Sequence, residues 1–131
     1  MDQSLTDREI LDAIRDNDLD VLKRTCIDLS YNHENWKFAQ EICAQLSQHN
    51  DPSIRQSAFY GLSMSVMRNL KAEKNLLKPV LLKGLSDQDP DVKMAAETAI
   101  QDINGWLKWN IGGAQKRKAQ EKRYYAKKAN K

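Results

Sequence analysis

The chain has 131 residues, of which 30% are charged and 40% are hydrophobic, and its formal net charge is +3. This length and composition predict one globular domain with a core of ordinary size and argue against wholesale disorder. No apolar run reaches the ~18 residues that a membrane-spanning helix needs, and the first residues lack the basic start and apolar run of a signal peptide. We therefore expect a soluble, cytoplasmic protein that does not contact a membrane.

Charge is distributed unevenly along the chain. Residues 1–50, the acidic front, hold ten acidic and five basic residues, a balance of −5. Residues 114–131, the basic tail, hold eight basic residues and one acidic residue, a balance of +7. This asymmetry indicates oppositely charged partners or a contact between the two ends of the chain.

The first two helices are predicted from their caps. Thr6 and Glu9 have the spacing of a capping box, in which each side chain accepts a hydrogen bond from the other residue's backbone N–H. Asn17 and Asp18 end this first helix and cap the second. The second helix is expected to end at a turn formed by residues 31–33.

Four further helices are predicted over about residues 34–48, 52–69, 72–85 and 90–109. Asp51-Pro52 and Asp89-Pro90 each place a good N-cap before a proline at the first helical position. Pro79 lies inside the fifth helix and should bend or split it, because it removes a backbone hydrogen bond. Gly112-Gly113 is expected to end the packed region, so that residues 1–113 form one domain and the basic tail follows it.

The fourth and sixth helices begin with the same pattern, 38 positions apart. Asp51-Pro52-x-Ile54-Arg55 matches Asp89-Pro90-x-Val92-Lys93, and Ala58 matches Ala96. Recurrence at this period predicts helical hairpins that bury their apolar faces by stacking on one another.

These residues resemble a HEAT repeat. Within residues 77–96, Pro79 stands in the first helix, Asp87 precedes the Asp-Pro turn and Val92-Lys93 follows it. The resemblance is strong over residues 76–103, fair over 36–66 and weak over the first two helices. It implies an all-α fold, a short HEAT-like α-α superhelix of about three helical hairpins plus a basic C-terminal helix or tail.

The resemblance also implies a ladder of polar contacts between successive turns. In such a ladder the turn Asp of one repeat meets the basic residue of its neighbour, so Arg55 is expected to pair with Asp87. The earlier copy departs from the pattern, because His49 stands where the family has the turn Asp.

No group of residues has the spacing of a catalytic or metal site. His33 and His49 lie at predicted turns, where polar clusters usually serve the turn itself. Cys26 and Cys43 are expected to be buried as small apolar groups rather than joined in a disulfide. We therefore expect no enzymatic activity, cofactor, metal or small-molecule substrate. Some proteins that share the resemblance are DNA glycosylases, but those use longer solenoids.

The surface offers three groups of candidate partner-binding residues. In the family that the chain resembles, the second helix of each hairpin lines the concave side and holds partners. The alternatives are that the methionines fill gaps in the core and that the tryptophans cap the end of the solenoid and receive the tail. The candidates are Asp12, Asp16 and Asp20 of the acidic front, the second-helix residues Tyr60, Met64, Met67, Glu97 and Gln101, and the pair Trp106 and Trp109.

The basic tail is a candidate nucleic-acid site. Its basic side chains suit phosphate backbones and its tyrosines suit stacking on bases. The alternative is that the tail is solvated or folds back on the acidic front. The candidate residues are Lys116, Arg117, Lys118, Lys122, Arg123, Tyr124, Tyr125, Lys127 and Lys128.

Two hypotheses for function follow. The first is a non-enzymatic protein-binding module, and more specifically an immunity protein that binds and neutralises a toxin domain. The acidic front would suit a basic toxin. The alternative is a nucleic-acid- or ribosome-associated protein that uses its basic tail.

Overall fold

The computed structural model describes residues 4–129, apart from the side chains of residues 114–117, 119 and 129. Within this range every regular element is an α-helix, which confirms the all-α prediction. The helices are α1 (Asp7–Asp16), α2 (Leu19–Asn32), α3 (Trp36–Leu46), α4 (Pro52–Asn69), α5 (Lys74–Gly84), α6 (Pro90–Leu107) and α7 (Gly113–Ala129).

The predicted N-caps are confirmed. The backbone N–H of Glu9 donates to Thr6 Oγ1 at 3.1 Å, and the N–H of Thr6 donates to Glu9 Oε1 at 3.2 Å. Asp51 and Asp89 each accept the backbone N–H two residues later, at 2.8 and 2.9 Å. Each of these bonds satisfies an amide that has no partner within its helix, so the sequence fixes where α1, α4 and α6 begin.

Three details of the helices differ from the sequence prediction. Tyr31 was expected in a turn, but α2 continues through it to Asn32. Of the bend or split predicted at Pro79, the split does not occur, because α5 continues through this residue; the carbonyl that loses its partner belongs to the exposed Asn75. The sixth helix ends at Leu107 rather than near Trp109, since the next residue adopts a left-handed conformation.

The first six helices form three hairpins, α1–α2, α3–α4 and α5–α6, in two layers. Helices α2, α4 and α6 pack side by side, with α4 in the middle, and we call them the second-helix layer. Helices α3 and α5 contact each other in the first-helix layer. The core lies between these layers, where Ile54, Phe59 and Leu62 of α4 are buried. Because α4 contacts both of its neighbours, it holds the three hairpins together.

Two glycines allow the hairpins to approach closely. A Cβ on Gly61 of α4 would stand 2.8 Å from both the Cβ and the carbonyl oxygen of Cys26 on α2. A Cβ on Gly84 of α5 would stand 2.6 Å from Ala96 Cβ and from the ring of Phe59. Real Cβ atoms do not come this close to other heavy atoms, so the spacing of the helices at both places depends on glycine.

An ion pair joins the second and third hairpins at one edge of the layers. Arg55 donates from Nε and Nη2 to the two carboxylate oxygens of Asp87, at 2.9 and 3.0 Å. The two side chains are only 18% and 13% exposed. Arg55 Nη1 also donates to the backbone oxygens of His49 and Asn50. The predicted Arg55–Asp87 contact is therefore confirmed, in a bidentate and largely buried form.

Between the first and second hairpins, a hydrogen bond between uncharged side chains takes the place of this ion pair. His49 occupies the position of Asp87, two residues before an N-cap, and its Nδ1 accepts the N–H of Asp51 at 2.9 Å. With Nδ1 as the acceptor, Nε2 carries the proton and donates to Asn17 Oδ1 at 2.6 Å. The ladder therefore continues to the first hairpin, with a hydrogen bond in place of an ion pair.

The segment after α6 folds back on the third hairpin. The Asn104 side chain exchanges two hydrogen bonds with the backbone of Ile111, at 2.9 and 3.0 Å, and Ile111 is buried. Helix α7 begins two residues later, at Gly113. The end of the packed hairpins is thus covered by residues 109–112 before the basic helix begins.

Candidate protein-binding surface

Helix α4 has one side that no helix packs against among the residues that the structure describes. It packs against α2 on one flank, α6 on the other and α3 at its back, so its remaining side faces solvent. Tyr60 and Met67 lie on that side, seven residues apart, and are 43% and 48% exposed. Met64 lies between them on the helix surface and is half-buried. The three predicted α4 residues therefore share one exposed stripe, and Met67 is not a core residue.

The stripe continues onto the two neighbouring helices. Parallel helices that start at equivalent caps bring equivalent positions side by side, and Asp18, Asp51 and Asp89 are the caps here. We call the resulting exposed or half-buried surface the outer face. Its positions, taken across the layer, are Lys23, Gln56 and Met94; Ile27, Tyr60 and Thr98; Tyr31, Met64 and Asp102; and Met67 and Gly105.

Hydrogen bonds between the helices hold this register. Ser30 Oγ on α2 donates to the Gly61 carbonyl on α4 at 2.6 Å. Ser63 Oγ on α4 donates to Asp102 Oδ2 on α6 at 3.1 Å. Both bonds lie beside the row that contains Met64, so they fix the three helices relative to one another directly beneath the outer face.

The outer face has an apolar centre and a polar border. Tyr31 is 59% exposed, and with Ile27, Tyr60, Met64 and Met67 it forms a continuous apolar strip across α2 and α4. The polar residues that border this strip are Lys23, Gln56, Thr98 and Asp102. Gln56 Nε2 donates to Tyr60 Oη at 3.2 Å. Aromatic and Met side chains within a polar rim are typical of protein–protein interfaces.

Sequence reasoning missed Tyr31 and Ile27 because it placed Tyr31 in a turn and did not consider Ile27. The signal that would have found them is the spacing from the Asp18 cap, which equals the spacing of Tyr60 and Met64 from Asp51. Glu97 and Gln101, predicted on α6, are exposed beside Thr98 and Asp102 and border the outer face.

The predicted acidic residues lie elsewhere and are partly neutralised. Arg15 contacts Asp12 at 3.2 Å and Asp16 at 2.9 Å, and Arg8 lies 3.6 Å from Asp12. The hydrogen bond from Arg15 lowers the pKa of Asp16. All four residues are on α1, outside the second-helix layer. Asp20, at the start of α2, is exposed and lies closer to the outer face.

The two tryptophans do not share a helix face. Trp106 is in the last turn of α6 and is 37% exposed, whereas Trp109 lies beyond the end of that helix. The Trp109 ring is half-buried against the core, with Lys74 Nζ 5.3 Å from its centroid. Of the two tryptophans, Trp109 is therefore the one that helps to cover the end of the packed hairpins.

The side chains of the predicted tail residues are exposed wherever they are described. Lys116 and Arg117 lie outside the described side chains. The remaining residues, all exposed on α7, are Lys118, Lys122, Arg123, Tyr124, Tyr125, Lys127 and Lys128.

The histidines and cysteines have structural contacts. His33, like His49, accepts a cap N–H with Nδ1, and its Nε2 lies 2.7 Å from Asp7 Oδ1. Cys26 and Cys43 are free and fully buried, as predicted. The contact with Cys43, together with burial, raises the pKa of the Cys26 thiol well above its ordinary value. A thiol with a raised pKa is a poor nucleophile at neutral pH.

A polar cavity of about 380 Å³ lies at the ladder edge, and Arg55, Asp87, Lys83 and Gln48 line it. Its charged groups already have partners, because Arg55 binds Asp87 and Lys83 contacts the Gln48 side chain. Over residues 4–129, no three His, Cys, Asp or Glu residues are grouped in a way that could hold a metal ion. In the same range no helix is long and apolar enough to cross a membrane.

The fold and this surface define a class: an all-α protein of stacked helical hairpins with an exposed face on its second-helix layer. Comparisons with protein-family models, curated proteins and solved structures found no match to this chain.

Proposed function

We propose that this protein is a non-enzymatic binding module of HEAT-like type whose outer face binds another protein. The observation that carries the proposal is the apolar strip of Tyr31, Ile27, Tyr60, Met64 and Met67. It is held in register by three packed helices and exposed to solvent. Single exposed apolar residues are common, but a contiguous strip with two tyrosines and a polar rim is typical of an interface.

The rigidity of the strip supports the same proposal. The backbone positions of Tyr60 and Met67 are set by the core contacts of α4, including the fully buried Phe59 and Leu62. A preorganised surface loses little conformational entropy on binding, so more of the contact energy appears as affinity. The α2 and α4 tyrosines are the anchors expected to contribute most.

The partner we propose is the catalytic domain of a toxin, with this chain as the immunity protein that occludes it. The balance of −5 over residues 1–50 favours a basic partner, since electrostatic complementarity increases the rate of association. The carboxylates of Asp12 and Asp16 already contact Arg15, so we assign them a steering role and assign most of the affinity to the tyrosines.

Site-specific photocrosslinking in the native host tests the proposal. A photoreactive phenylalanine at Tyr60 should capture one protein, and mass spectrometry of the adduct should identify it as a basic toxin domain. The same probe at Gln45, an exposed residue on α3, is the matched control and should not capture that protein. Capture from both positions, or from neither, would show that the outer face is not the binding surface.

The captured domain then gives a quantitative test. Tyr60→Ala should weaken its binding about 30-fold or more, which is the size expected for an aromatic hot spot of ~2 kcal/mol. The double variant Asp12→Asn and Asp16→Asn should mainly slow association and flatten its salt dependence. If the partner is a toxin, the wild-type chain should restore growth of cells that express it. Growth restored equally well by the Tyr60→Ala variant would contradict the proposed surface.

A further inference from the structure

Helix α7 presents uncompensated positive charge. Its described side chains, residue 118 and residues 120–128, are all exposed and include five basic groups and the single acid Glu121. Among the described residues no ion pair joins α7 to α1 or α2. Three acidic residues of α1 that could receive a folded-back tail, Asp7, Asp12 and Asp16, are instead close to His33, Arg8 or Arg15. The positive charge of α7 therefore remains available to a partner.

The distribution of charge around α7 favours a polyanion over a membrane surface. Lys118 and Lys122 lie one turn apart on one side, and Arg123 and Lys127 lie one turn apart on another. A helix that binds in a bilayer interface needs a broad apolar face opposite its basic one. Basic groups on more than one side of α7 interrupt any such face, whereas they suit a phosphodiester chain that passes along or around the helix.

The two tyrosines of α7 add a means of binding bases. Tyr124 and Tyr125 are 58% and 65% exposed, and their ring centroids are 5.4 Å apart in an edge-to-face arrangement. Lys128 Nζ lies 5.7 Å from the Tyr124 ring. Exposed aromatic rings beside basic groups are the elements with which proteins bind unpaired bases and the adjoining phosphates. Bases in a duplex are already stacked, so the tyrosines favour a single strand.

Two exposed lysines of α5 are further candidates for the same ligand. Lys74 and Lys78 are one turn apart on α5 and both are exposed. Lys74 Nζ lies over the Trp109 ring. Helix α7 begins at Gly113, four residues after Trp109, and the N–H of Gly113 donates to the Asn110 carbonyl. Lys74 therefore lies beside the segment that leads into α7, and Lys78 is one turn further along α5.

We propose that α7, together with Lys74 and Lys78, binds single-stranded nucleic acid through its phosphate backbone and its unpaired bases. This function is separate from protein binding at the outer face, and neither proposal depends on the other. The helix itself should respond to the ligand. Like charges one turn apart oppose each other on α7, and an isolated helix of this length is marginal in water. Neutralising phosphates should therefore raise its helical content.

The test is fluorescence anisotropy of the full chain with labelled single-stranded RNA, single-stranded DNA and duplex DNA of about 20 nucleotides. We expect the single strands to bind more tightly than the duplex. The logarithm of the association constant should fall linearly with the logarithm of salt concentration, by about 0.7 per phosphate neutralised. Circular dichroism at saturation should show a gain in helix. RNA and DNA share the proposed chemistry, and the two arms show which of them is preferred.

Three sets of variants locate the surface. Replacing Lys122, Arg123, Lys127 and Lys128 by Gln should weaken binding at least about 100-fold and reduce the salt slope by about 3, since four charges are lost. Tyr124→Leu with Tyr125→Leu should weaken single-strand binding about tenfold and leave duplex binding unchanged. Lys74→Gln with Lys78→Gln should weaken binding several-fold and reduce the slope by about 1.

Matched controls separate a site from general attraction to a basic protein. Lys23→Gln with Lys93→Gln removes the same charge as the α5 pair from exposed positions elsewhere and should leave affinity nearly unchanged. Tyr60→Ala should also have no effect. An equal loss with the control pair would overturn the α5 part of the proposal. The whole proposal would be overturned if the α7 substitutions left affinity unchanged, or if duplex DNA bound as tightly as the single strands. It would also be overturned if the chain bound anionic phosphatidylserine vesicles more tightly than the single strands.

Discussion

The two joints between the hairpins use similar apolar packing but different polar bonds. The joint of the first and second hairpins has Gly61 against Cys26 and a neutral hydrogen bond from His49 to Asn17. The joint of the second and third hairpins has Gly84 against Phe59 and the bidentate pair of Arg55 with Asp87. Close approach is thus common to both joints, and an ion pair occurs at only one of them.

The difference shows which features a stacked array requires and which it can exchange. Each hairpin must bring its helices close enough to exclude water, and only a glycine permits this at Gly61 and Gly84. The ladder needs only a side chain that accepts the cap N–H and also reaches the neighbouring hairpin. An Asp and a His both meet that requirement, but the Asp adds an ionic contribution that depends on pH and salt.

The largest effect is expected from filling the close contacts. Gly61→Ala should lower the free energy of unfolding by about 1–3 kcal/mol, because its new Cβ would meet the Cys26 backbone and α2 must move away from α4. Gly84→Ala should cost a similar amount, because its new Cβ would stand 2.6 Å from Ala96 Cβ, which can move only with the backbone of α6. Chemical denaturation followed by circular dichroism measures both values.

Gly105→Ala is the matched control for these substitutions. It lies inside α6 and a new Cβ there would meet no atom within 4 Å. The change should stabilise the protein by about 1 kcal/mol, the difference in helix propensity between Ala and Gly. If Gly61→Ala stabilises the protein as much as the control does, the joint does not depend on close approach.

A smaller loss is expected from the ionic joint. Asp87→Asn should lower the free energy of unfolding by about 1–2 kcal/mol at neutral pH, because the largely buried Arg55 loses its charge-assisted bonds.

The contribution of this ion pair should depend on pH, since the hydrogen bond from Arg55 lowers the pKa of Asp87 in the folded state. The stabilisation is therefore complete above the unfolded-state pKa of about 3.9 and disappears as pH falls through the lower folded-state value. Urea unfolding at a series of pH values should show the wild type and the variant converging below about pH 4. A difference in stability that is unchanged in acid would contradict the ion-pair assignment.

The smallest effect is expected at the neutral joint. Asn17→Gly removes the acceptor of His49, at a cost of about 1 kcal/mol, but glycine relieves the left-handed conformation of φ 52° at this position. The two effects nearly cancel, so the midpoint temperature of thermal unfolding should change little. The difference between the variant and the wild type should not depend on salt concentration. A loss as large as that of Asp87→Asn would mean that the two joints are equally dependent on their polar bonds.

Much of the fold follows from local sequence. The capping box of Thr6 and Glu9 and the Asp-Pro pairs placed the starts of α1, α4 and α6, and the resemblance to a HEAT repeat implied the contact of Arg55 with Asp87. The errors occurred where a local signal was weak or was overridden by packing. Tyr31 resembles a turn residue, but the buried Leu29 and Ser30 keep α2 helical beyond it. Trp109 has helical spacing from Trp106, but the bonds between Asn104 and Ile111 turn the chain back before it.

The sequence by itself determined the helices, their caps and the repeat that stacks them, because these depend on neighbouring residues and on periodicity. The charge of the tail was equally plain in the sequence. Only the tertiary structure decided which surfaces remain free. Tyr60, Met64 and Met67 became one strip with Ile27 and Tyr31 because α4 is covered on three sides and open on the fourth. The described side chains of α7 remained available because they form no ion pair with α1 or α2, where Asp12 and Asp16 contact Arg15 instead. Both results depend on contacts between distant segments, which no local pattern specifies.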